Sequence, residues 1–352
     1  MPVDNQSYHR QVDQKNIIKL RELIEDLPSY VKDFFRGIDS QTSSRTRIAY
    51  AYDLRVFYRY LHENNPSLGR KEIKEISLQD LESLKPLDIE EYLDYVRVYS
   101  SLDTNFRSND LSAIKRKLAS LRSFYKYYYQ KELITYNPVA LVAMPKLREK
   151  NIVRLDADEV SALLDHVDNG EQLTRRQMAW HERSRVRDLA MMTLMLGTGI
   201  RVSECVGLNI NDVDFKNDAL SIFRKGGKEV TVYFGDEVEE ALKDYMRERK
   251  TIIAESGHEN ALFLSSQKKR MTTRAVENMV KKYTQTVTTS KNITPHKLRS
   301  TYGTNLYRET GDIYLVADVL GHSDVNTTKK HYAAIDDDIR RKARDKVRLR
   351  KD

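Results

Sequence analysis

Apolar residues recur every three or four positions along most of the chain, the spacing that places them on one face of an α-helix. A helix predicted over about 109–131 carries the stripe Ile114, Leu118, Leu121, Tyr125 and Tyr128. A helix after the cap-rich segment 39–46 carries the stripe Tyr50, Leu54, Phe57, Tyr58 and Leu61. The pattern predicts an all-α bundle over residues 16–137, preceded by a disordered polar segment over residues 1–15.

Prolines and polar clusters set the breaks in this bundle. Leu27-Pro28 separates a helix that begins near Ile17 from a short helix over Tyr30–Phe35. Residues 64–70 are predicted to form a loop, and Asp88 to open a further helix. Asn137-Pro138 ends the bundle. The next segment, 138–152, contains two prolines and a charge cluster, and it is predicted to link two domains.

The second half, residues 153–335, mixes helical spacing with short strands. Asp156 and Glu159 form a predicted capping box, and Ser184 is the predicted cap of an apolar helix over 186–196 that Gly197-Thr-Gly199 ends. Three strands are predicted at Val213–Phe215, Ala219–Arg224 and Val230–Phe234. The pattern indicates an α+β domain with a small three-stranded antiparallel sheet, followed by a charged tail over 336–352.

Composition narrows the class of protein. The chain has 60 Lys and Arg against 52 Asp and Glu, a formal net charge of +8 that favours a polyanionic partner. Its one cysteine, Cys205, excludes an internal disulfide and any multi-cysteine metal site. The polar N-terminus lacks a signal core, and no apolar run approaches the roughly 18 residues that span a bilayer. We therefore expect a cytoplasmic protein with no membrane partner.

Several predicted helices carry Arg and Lys beside their apolar stripes. In the first half the candidate DNA-contacting residues are Arg45, Arg47, Lys115, Arg116, Arg122 and Lys126. In the second half Arg274 and Lys281 lie on a helix predicted over 274–284, a candidate for the major groove of DNA. One charged face is usually a solvated surface, but several in one small domain favour contacts with phosphates.

The candidate chemistry lies in four short motifs. They are Gly197-Thr-Gly-Ile-Arg-Val-Ser-Glu204, Thr294-Pro-His-Lys-Leu-Arg-Ser300, Leu320-Gly-His-Ser323 and His331-Tyr-Ala333. Arg201 and Glu204 are three residues apart, so the carboxylate can hold the guanidinium towards a phosphate. His296 and Arg299 share a face near a predicted helix N-terminus, where the helix dipole favours an anion.

Each motif alone has an ordinary explanation. Arg201 and Glu204 could form a surface ion pair, and Thr294-Pro295 could simply cap a helix over a buried His296. His322 is predicted on a turn after a terminating glycine, and Lys225 in a hairpin tip, where both residue types are common. Tyr332 is one of 21 tyrosines. Only the order and spacing of all the motifs together favour one phosphate-binding site.

That ordered set resembles the tyrosine recombinases, the phage-integrase family, and within them the Xer group. The resemblance is strong over about 150–335, whereas the first half matches only the pattern of the family's helical, SAM-like core-binding domain. Helices before Ser43 make the chain more similar to the single-recombinase, XerS-like proteins than to paired Xer recombinases. Ser300 departs from many relatives, which have a second histidine there, at a position that is usually not catalytic.

The resemblance implies a role for each matching residue. Tyr332 would attack the scissile phosphate and form a 3′-phosphotyrosyl link, while Arg201 and Arg299 stabilise the charge of the transition state. The role of general acid falls on Lys225, with Lys228 as the near alternative. The assisting residues would be His296 in proton transfer, His322 in a hydrogen bond to the phosphate and Glu204 in orienting the site. The family needs neither metal nor cofactor for this chemistry.

The resemblance also implies partners: a double-stranded DNA site, a homotetramer on two such sites, and a DNA translocase as a candidate accessory protein. Two biological roles stay open, chromosome-dimer resolution in cell division and integration or excision of a mobile element. A type IB topoisomerase and a DNA-binding protein without catalysis are alternatives from other classes. The intact set of motif residues from Arg201 to Tyr332 argues against a DNA-binding protein without catalysis.

Overall fold

The computed structural model describes residues 8–100, 106–147, 153–224, 227–288, 290–321 and 325. It divides into two compact units, one within residues 5–150 and the other from residue 151 onwards. Most of the described chain is α-helical, and the described strands form one two-stranded and one three-stranded antiparallel sheet. None of the described helices is both long enough and apolar enough to cross a membrane.

The first unit consists of six helices and a β-hairpin. Its helices are α1 (Tyr8–Leu23), α2 (Val31–Gly37), α3 (Ser44–Asn64), α4 (Leu78–Ser83), α5 (Pro86–Tyr95) and α6 (Leu111–Gln130). The hairpin strands are β1 (Val98–Ser100) and β2 (Phe106–Ser108), with Tyr99 opposite Arg107. Short 3-10 helices cover Ile73–Glu75 and Pro138–Leu141.

The predicted long helices of this unit are confirmed by their caps and their burial. Ser43 and Asp110 accept hydrogen bonds from the backbone N–H groups of Thr46 and Ala113, which starts α3 and α6. All five residues of the predicted α6 stripe are buried. The proline at position 86 starts α5 two residues before the predicted start, and Asp88 instead accepts a hydrogen bond from the Lys85 N–H.

Two predictions for this unit are wrong. The predicted disordered segment 1–15 is helical from Tyr8 onwards, because polar side chains anchor α1 to α3. The Ser44 hydroxyl accepts a hydrogen bond from Asn16 at 2.9 Å and donates one to Asp13 at 2.6 Å. The unit is also not all-α, because it contains the β1–β2 hairpin. The hairpin was not predicted because strands of three residues are too short to show a pattern in the sequence. Tyr99 on β1 is buried beneath the Lys117 ammonium.

Aromatic rings fill the core of the first unit. The ring centroid of Phe124 lies 5.1 Å from that of Phe34 and 5.0 Å from that of Tyr128. Both pairs are edge to face, a geometry that aromatic pairs prefer. Two hydroxyls of this core form a hydrogen-bonded chain: Tyr30 donates to the Ile76 carbonyl at 2.9 Å, so Tyr58 donates to Tyr30 at 2.8 Å. This network fixes the loop before α2 against α3.

The start of the predicted linker packs on the first unit. Val139 and Val142 are buried in its aromatic core, and Asn137 caps the 3-10 turn by accepting from the Ala140 N–H at 3.2 Å. The division between the two units falls at residues 150 and 151. The segment that connects them is therefore shorter than 138–152.

In its described residues, the second unit contains a small sheet and seven α-helices. The helices are α7 (Ala157–Asn169), α8 (Arg175–Thr198), α9 (Val202–Gly207), α10 (Asp236–Arg249), α11 (Thr273–Val287), α12 (Pro295–Thr310) and α13 (Ile313–Leu320). The strands are β3 (Val213–Asp214), β4 (Ala219–Phe223) and β5 (Glu229–Tyr233). Helix α8 packs against α7, α10 and α12 and so forms the centre of the unit.

The predicted sheet is confirmed, with strand order β3-β4-β5 and Leu220 opposite both Val213 and Val232. The predicted cap at Ser184 is wrong, because α8 runs unbroken through that position. Its cap is Thr174, which accepts from the Gln177 N–H, while the Ser184 hydroxyl donates to Asp188 at 2.9 Å. The predicted end is confirmed: Gly199 terminates α8 with a left-handed φ of 63°.

Candidate active site

Arg201 lies where α8 has ended and α9 begins, as the N-cap residue of α9. Its Nη1 donates to Oε1 of Glu204 at 2.8 Å, and its backbone N–H donates to Oε2 at 2.8 Å. The Glu204 side chain is only 4% exposed, whereas that of Arg201 is 38% exposed. A buried carboxylate therefore holds Arg201 by two charge-assisted hydrogen bonds, one from its partly exposed guanidinium and one from its backbone N–H.

Arg299 lies one turn into α12 and is buried. Its Nη1 donates to the Gly199 carbonyl at 2.5 Å, and its Nη2 donates to the Leu320 carbonyl. Helix α12 begins at Pro295 after Thr294, as predicted, although the Thr294 side chain makes no capping hydrogen bond. Leu298, next to it in the helix, is fully buried. Arg299 thus joins the α8–α9 turn to the end of α13.

Three guanidiniums bind the carboxyl end of α13. Arg201 Nη2 donates to the Gly321 carbonyl at 3.1 Å, next to the Leu320 carbonyl that Arg299 binds. Arg224, at the end of β4, donates to the carbonyls of Asp318 at 3.2 Å and Val319 at 2.6 Å. The last carbonyls of a helix have no partner within it, so they offer acceptors at which separate chain segments meet.

Positive charge accumulates at this point. Burial lowers the pKa of Arg224, and the nearby charge of Arg201 lowers it further, while Glu204 and Asp318 act in the opposite direction. Three guanidiniums therefore lie at one helix end, and that of Arg201 is hydrogen-bonded to the Glu204 carboxylate. Such an excess of donors and positive charge suits a phosphate, whose oxygens accept from several N–H groups.

The structure describes four of the seven sequence-predicted active-site residues. Arg201, Glu204 and Arg299 lie together, and His296 lies on the exposed side of the first turn of α12, one turn before Arg299. Lys225, His322 and Tyr332 lie outside the described residues. Gly321 takes the predicted left-handed conformation, with φ of 62°, directly before His322 in the sequence.

Arg224 was missed by the sequence analysis, which assigned it only to a strand. A basic residue at a strand end is common, and the only available signal was its position next to Lys225.

The sequence also gave no sign of a buried polar cluster between α8 and α11. There Asp188 accepts from Tyr283 at 3.0 Å, and the same tyrosine oxygen contacts His181 Nδ1 at 3.0 Å.

Comparison with known proteins identifies the family. Residues 153–338, more than half of the chain, match the model described as the phage integrase family. The chain is 34% identical over 310 residues to tyrosine recombinase XerC of Caldanaerobacter subterraneus subsp. tengcongensis, with 86% of this chain and 81% of that one covered. This chain belongs to the phage integrase family. It is therefore a tyrosine recombinase, and its Xer-like sequence features are confirmed by these relatives.

Tyrosine recombinase XerS of Streptococcus agalactiae is 31% identical over 352 residues, with 94% of this chain and 98% of that one covered. Among solved structures, the XerH recombinase bound to a palindromic difH substrate aligns with a TM-score of 0.66 at 18% identity. That alignment covers 94% of this chain and 88% of the XerH chain. The fold of this recombinase, a helical bundle followed by an α+β domain, is thus the fold of its structural neighbours.

The predicted DNA-contacting residues of this recombinase differ in how far their side chains are already engaged. Arg47 is buried and paired with Asp39, Arg116 is paired with buried Asp53, and Arg122 donates to the Val142 carbonyl at 2.5 Å. The exposed side chains are those of Arg45, Arg116, Lys126, Arg274 and Lys281, and that of Lys115 is partly exposed. Among the described residues, no group of His, Cys, Asp and Glu is arranged to hold a metal ion.

Proposed function

We propose that this protein is a site-specific recombinase that cuts and rejoins DNA through a 3′-phosphotyrosyl link to Tyr332. Strand exchange between two duplexes then passes through a Holliday junction. The observation that carries the proposal is the convergence of Arg201 and Arg299 on neighbouring carbonyls at the end of α13. The chain that leaves this point contains His322 and Tyr332 within the next eleven residues.

In the proposed reaction the Tyr332 oxygen forms a bond to the scissile phosphorus as the bond to the 5′ oxygen breaks. Arg201 and Arg299 stabilise the charge that develops on the non-bridging oxygens. His296 assists the transfer of the tyrosine proton, His322 hydrogen-bonds the phosphate, and Lys225 protonates the departing 5′ oxygen. Because one phosphodiester replaces another, the bond energy is kept and religation needs no ATP.

Both units are proposed to contact DNA, and four copies to hold two sites. Helix α11 is the candidate for the major groove, since Arg274 and Lys281 are both exposed on it. Of the residues predicted to contact phosphates in the first unit, Arg45, Arg116 and Lys126 are exposed and Lys115 is partly exposed. The tail after Tyr332 would dock on a neighbouring copy, and a DNA translocase is a candidate accessory partner.

Chromosome-dimer resolution is the biological role we favour. The observation behind this choice is that the relatives named XerC and XerS match most of their own length and most of this chain. Excision or integration of a mobile element uses the same chemistry and is the second candidate. Similarity to the transposon integrase of Tn1549, with a TM-score of 0.61 at 19% identity, extends to the fold and leaves this choice to experiment.

The test is covalent capture on sheared genomic DNA of the source organism, followed by sequencing of the captured fragments. One locus near the replication terminus is expected. Fragments that flank the protein's own gene would instead indicate a mobile element. Adducts without sequence preference would indicate a type IB topoisomerase.

Two variants control the capture experiment. Tyr332→Phe should abolish capture and retain DNA binding. The matched variant Tyr314→Phe, at an exposed tyrosine of α13, should capture DNA at the wild-type rate. Capture of DNA by Tyr332→Phe would overturn the assignment of the nucleophile. A wild type that captures no DNA would overturn the enzyme proposal.

A further inference from the structure

Arg224 closes the β4–β5 hairpin through its backbone and reaches α13 with its side chain. Its N–H donates to the Lys228 carbonyl at 2.9 Å, and its own carbonyl accepts from Gly227 at 3.1 Å. Its two terminal nitrogens donate to the carbonyls of Asp318 and Val319. One residue therefore fixes both the base of the hairpin turn and the distance from that turn to the end of α13.

The end of α13 is shaped to receive this side chain. A Cβ atom built on Gly321 would lie 2.3 Å from Arg224 Nη1, closer than non-bonded atoms approach. Gly321 also has a φ of 62°, which residues with a Cβ rarely adopt. A glycine at this position therefore serves two purposes: it turns the chain out of the helix, and it leaves room for the guanidinium.

The position of Arg224 is electrostatically unfavourable for a residue that only caps a helix. Burial lowers the pKa of Arg224 and the charge of Arg201 lowers it further, and the Glu204 and Asp318 carboxylates offset these effects only in part. The Nε of Arg224 is also buried without a hydrogen-bond partner among the described residues. A cap on the outer side of α13 would avoid these costs, so the location calls for a further role.

We propose that Arg224 is a positioning residue for the general acid of the proposed reaction. Lys225 follows it directly in the sequence, so the Arg224 contacts fix the start of the segment that carries the ammonium group. The same contacts tie this segment to the end of α13, where Arg299 and Arg201 bind the next two carbonyls, those of Leu320 and Gly321. In this role Arg224 touches no reacting atom. It acts by aligning Lys225 with the 5′ oxygen, to which the Lys225 proton moves as the phosphorus–oxygen bond breaks.

This inference rests on the proposed function, so a first measurement is made without DNA. Hydrogen–deuterium exchange is compared between the wild type, Arg224→Ala and the control Arg247→Ala. Arg247 is a 78% exposed residue of α10 that pairs only with Asp244 in the described contacts. Arg224→Ala should speed exchange both in the hairpin over 219–233 and in α13, whereas Arg247→Ala should change neither. Unchanged exchange in Arg224→Ala would overturn the proposed connection, whatever the protein does to DNA.

The second measurement uses a nicked duplex with the sequence that the wild type captures, in two forms. One form has the normal 5′ oxygen at the scissile phosphate, and the other has sulfur in its place. A thiol has a pKa of about 8.5, far below that of an alcohol, so a thiolate leaves without a proton from Lys225. Substitution by sulfur therefore removes the need for the general acid.

Arg224→Ala should slow adduct formation on the oxygen substrate by about 100-fold, the scale of a misplaced catalytic group. On the sulfur substrate it should approach the wild-type rate, as Lys225→Ala should. An equal defect on both substrates would mean that Arg224 acts on the phosphate itself, which would overturn the positioning role. Arg224→Lys provides a second variant that keeps the charge but not the two-pronged contact, and it should show the same rescue. A wild type without any adduct would refute the proposed function, while the exchange measurement would still decide the connection.

Discussion

Arg299 and Gly199 are 100 residues apart in the chain, yet the guanidinium of one donates a hydrogen bond to the carbonyl of the other. Gly199 ends α8 in the left-handed conformation, and Arg201 follows two residues later. The bond therefore places the first predicted catalytic arginine relative to the second. It depends on a backbone conformation that a residue other than glycine adopts only at a cost.

Gly199→Ala should destabilise the fold and slow DNA cleavage. A Cβ at this position would lie 2.4 Å from the Tyr302 ring, in addition to the strain of a φ of 63°. The matched control is Gly311→Ala, where φ is 67° and no atom lies within 4 Å of the added Cβ. Urea unfolding of the control should show a loss of about 1–2 kcal/mol from φ alone. An equal loss in both variants would show that the Tyr302 contact is without consequence.

Arg299→Lys should slow covalent adduct formation by about 100- to 1,000-fold, the scale for a lost transition-state donor. Lysine keeps the charge but cannot reach the Gly199 and Leu320 carbonyls in the fixed geometry of a guanidinium. Single-turnover adduct formation measures the effect, and DNA binding should stay near the wild-type affinity. Arg308→Lys, on the last turn of the same helix, is the control. An Arg299→Lys variant with the wild-type rate would contradict the assigned role.

Glu204→Gln should weaken the hold on Arg201. The amide keeps one acceptor oxygen but presents N–H groups where the carboxylate accepts from Arg201 at 2.8 Å. We expect a loss of about 1–3 kcal/mol in the free energy of unfolding, the range for hydrogen bonds to charged groups. Adduct formation should also be slower, since Arg201 loses its orientation. The exposed residue Glu240 provides the control variant Glu240→Gln. Equal stability of the two variants would refute the orienting role of Glu204.

We expect the buried cluster between α8 and α11 to make the free energy of unfolding depend on pH. Burial lowers the pKa of His181, and the charge of Lys282 lowers it further; burial also lowers the pKa of His166. Since the folded state binds these protons less readily than the unfolded state, stability should fall as the pH drops below about 6.5. Urea unfolding between pH 7.5 and 5.5 measures the fall. The double variant His166→Gln/His181→Gln should flatten it, and an undiminished fall in that variant would exclude the two histidines as its source.

Much of the helical architecture follows from local sequence. The stripe from Ile114 to Tyr128 and the cap at Ser43 act within a few residues, so their effect can be read without knowing the fold. One error arises where distant contacts override local preference. Residues 8–15 are helical because Asp13 and Asn16 bond to Ser44. The misplaced cap at Ser184 has a local cause instead, since α8 already begins after Thr174, which accepts from the Gln177 N–H.

The sequence by itself determined the family and most of the long helices, and it predicted the reacting residues. Each of these depends on residue type and spacing, which remain visible in an unfolded chain. Only the tertiary structure decided that Arg201, Arg224 and Arg299 share the carbonyls of one helix end, and that Arg47 is buried against Asp39. Those contacts join residues tens to more than a hundred positions apart, or depend on burial. They exist only because packing brings the end of α13, the β4–β5 hairpin and the α8–α9 turn together.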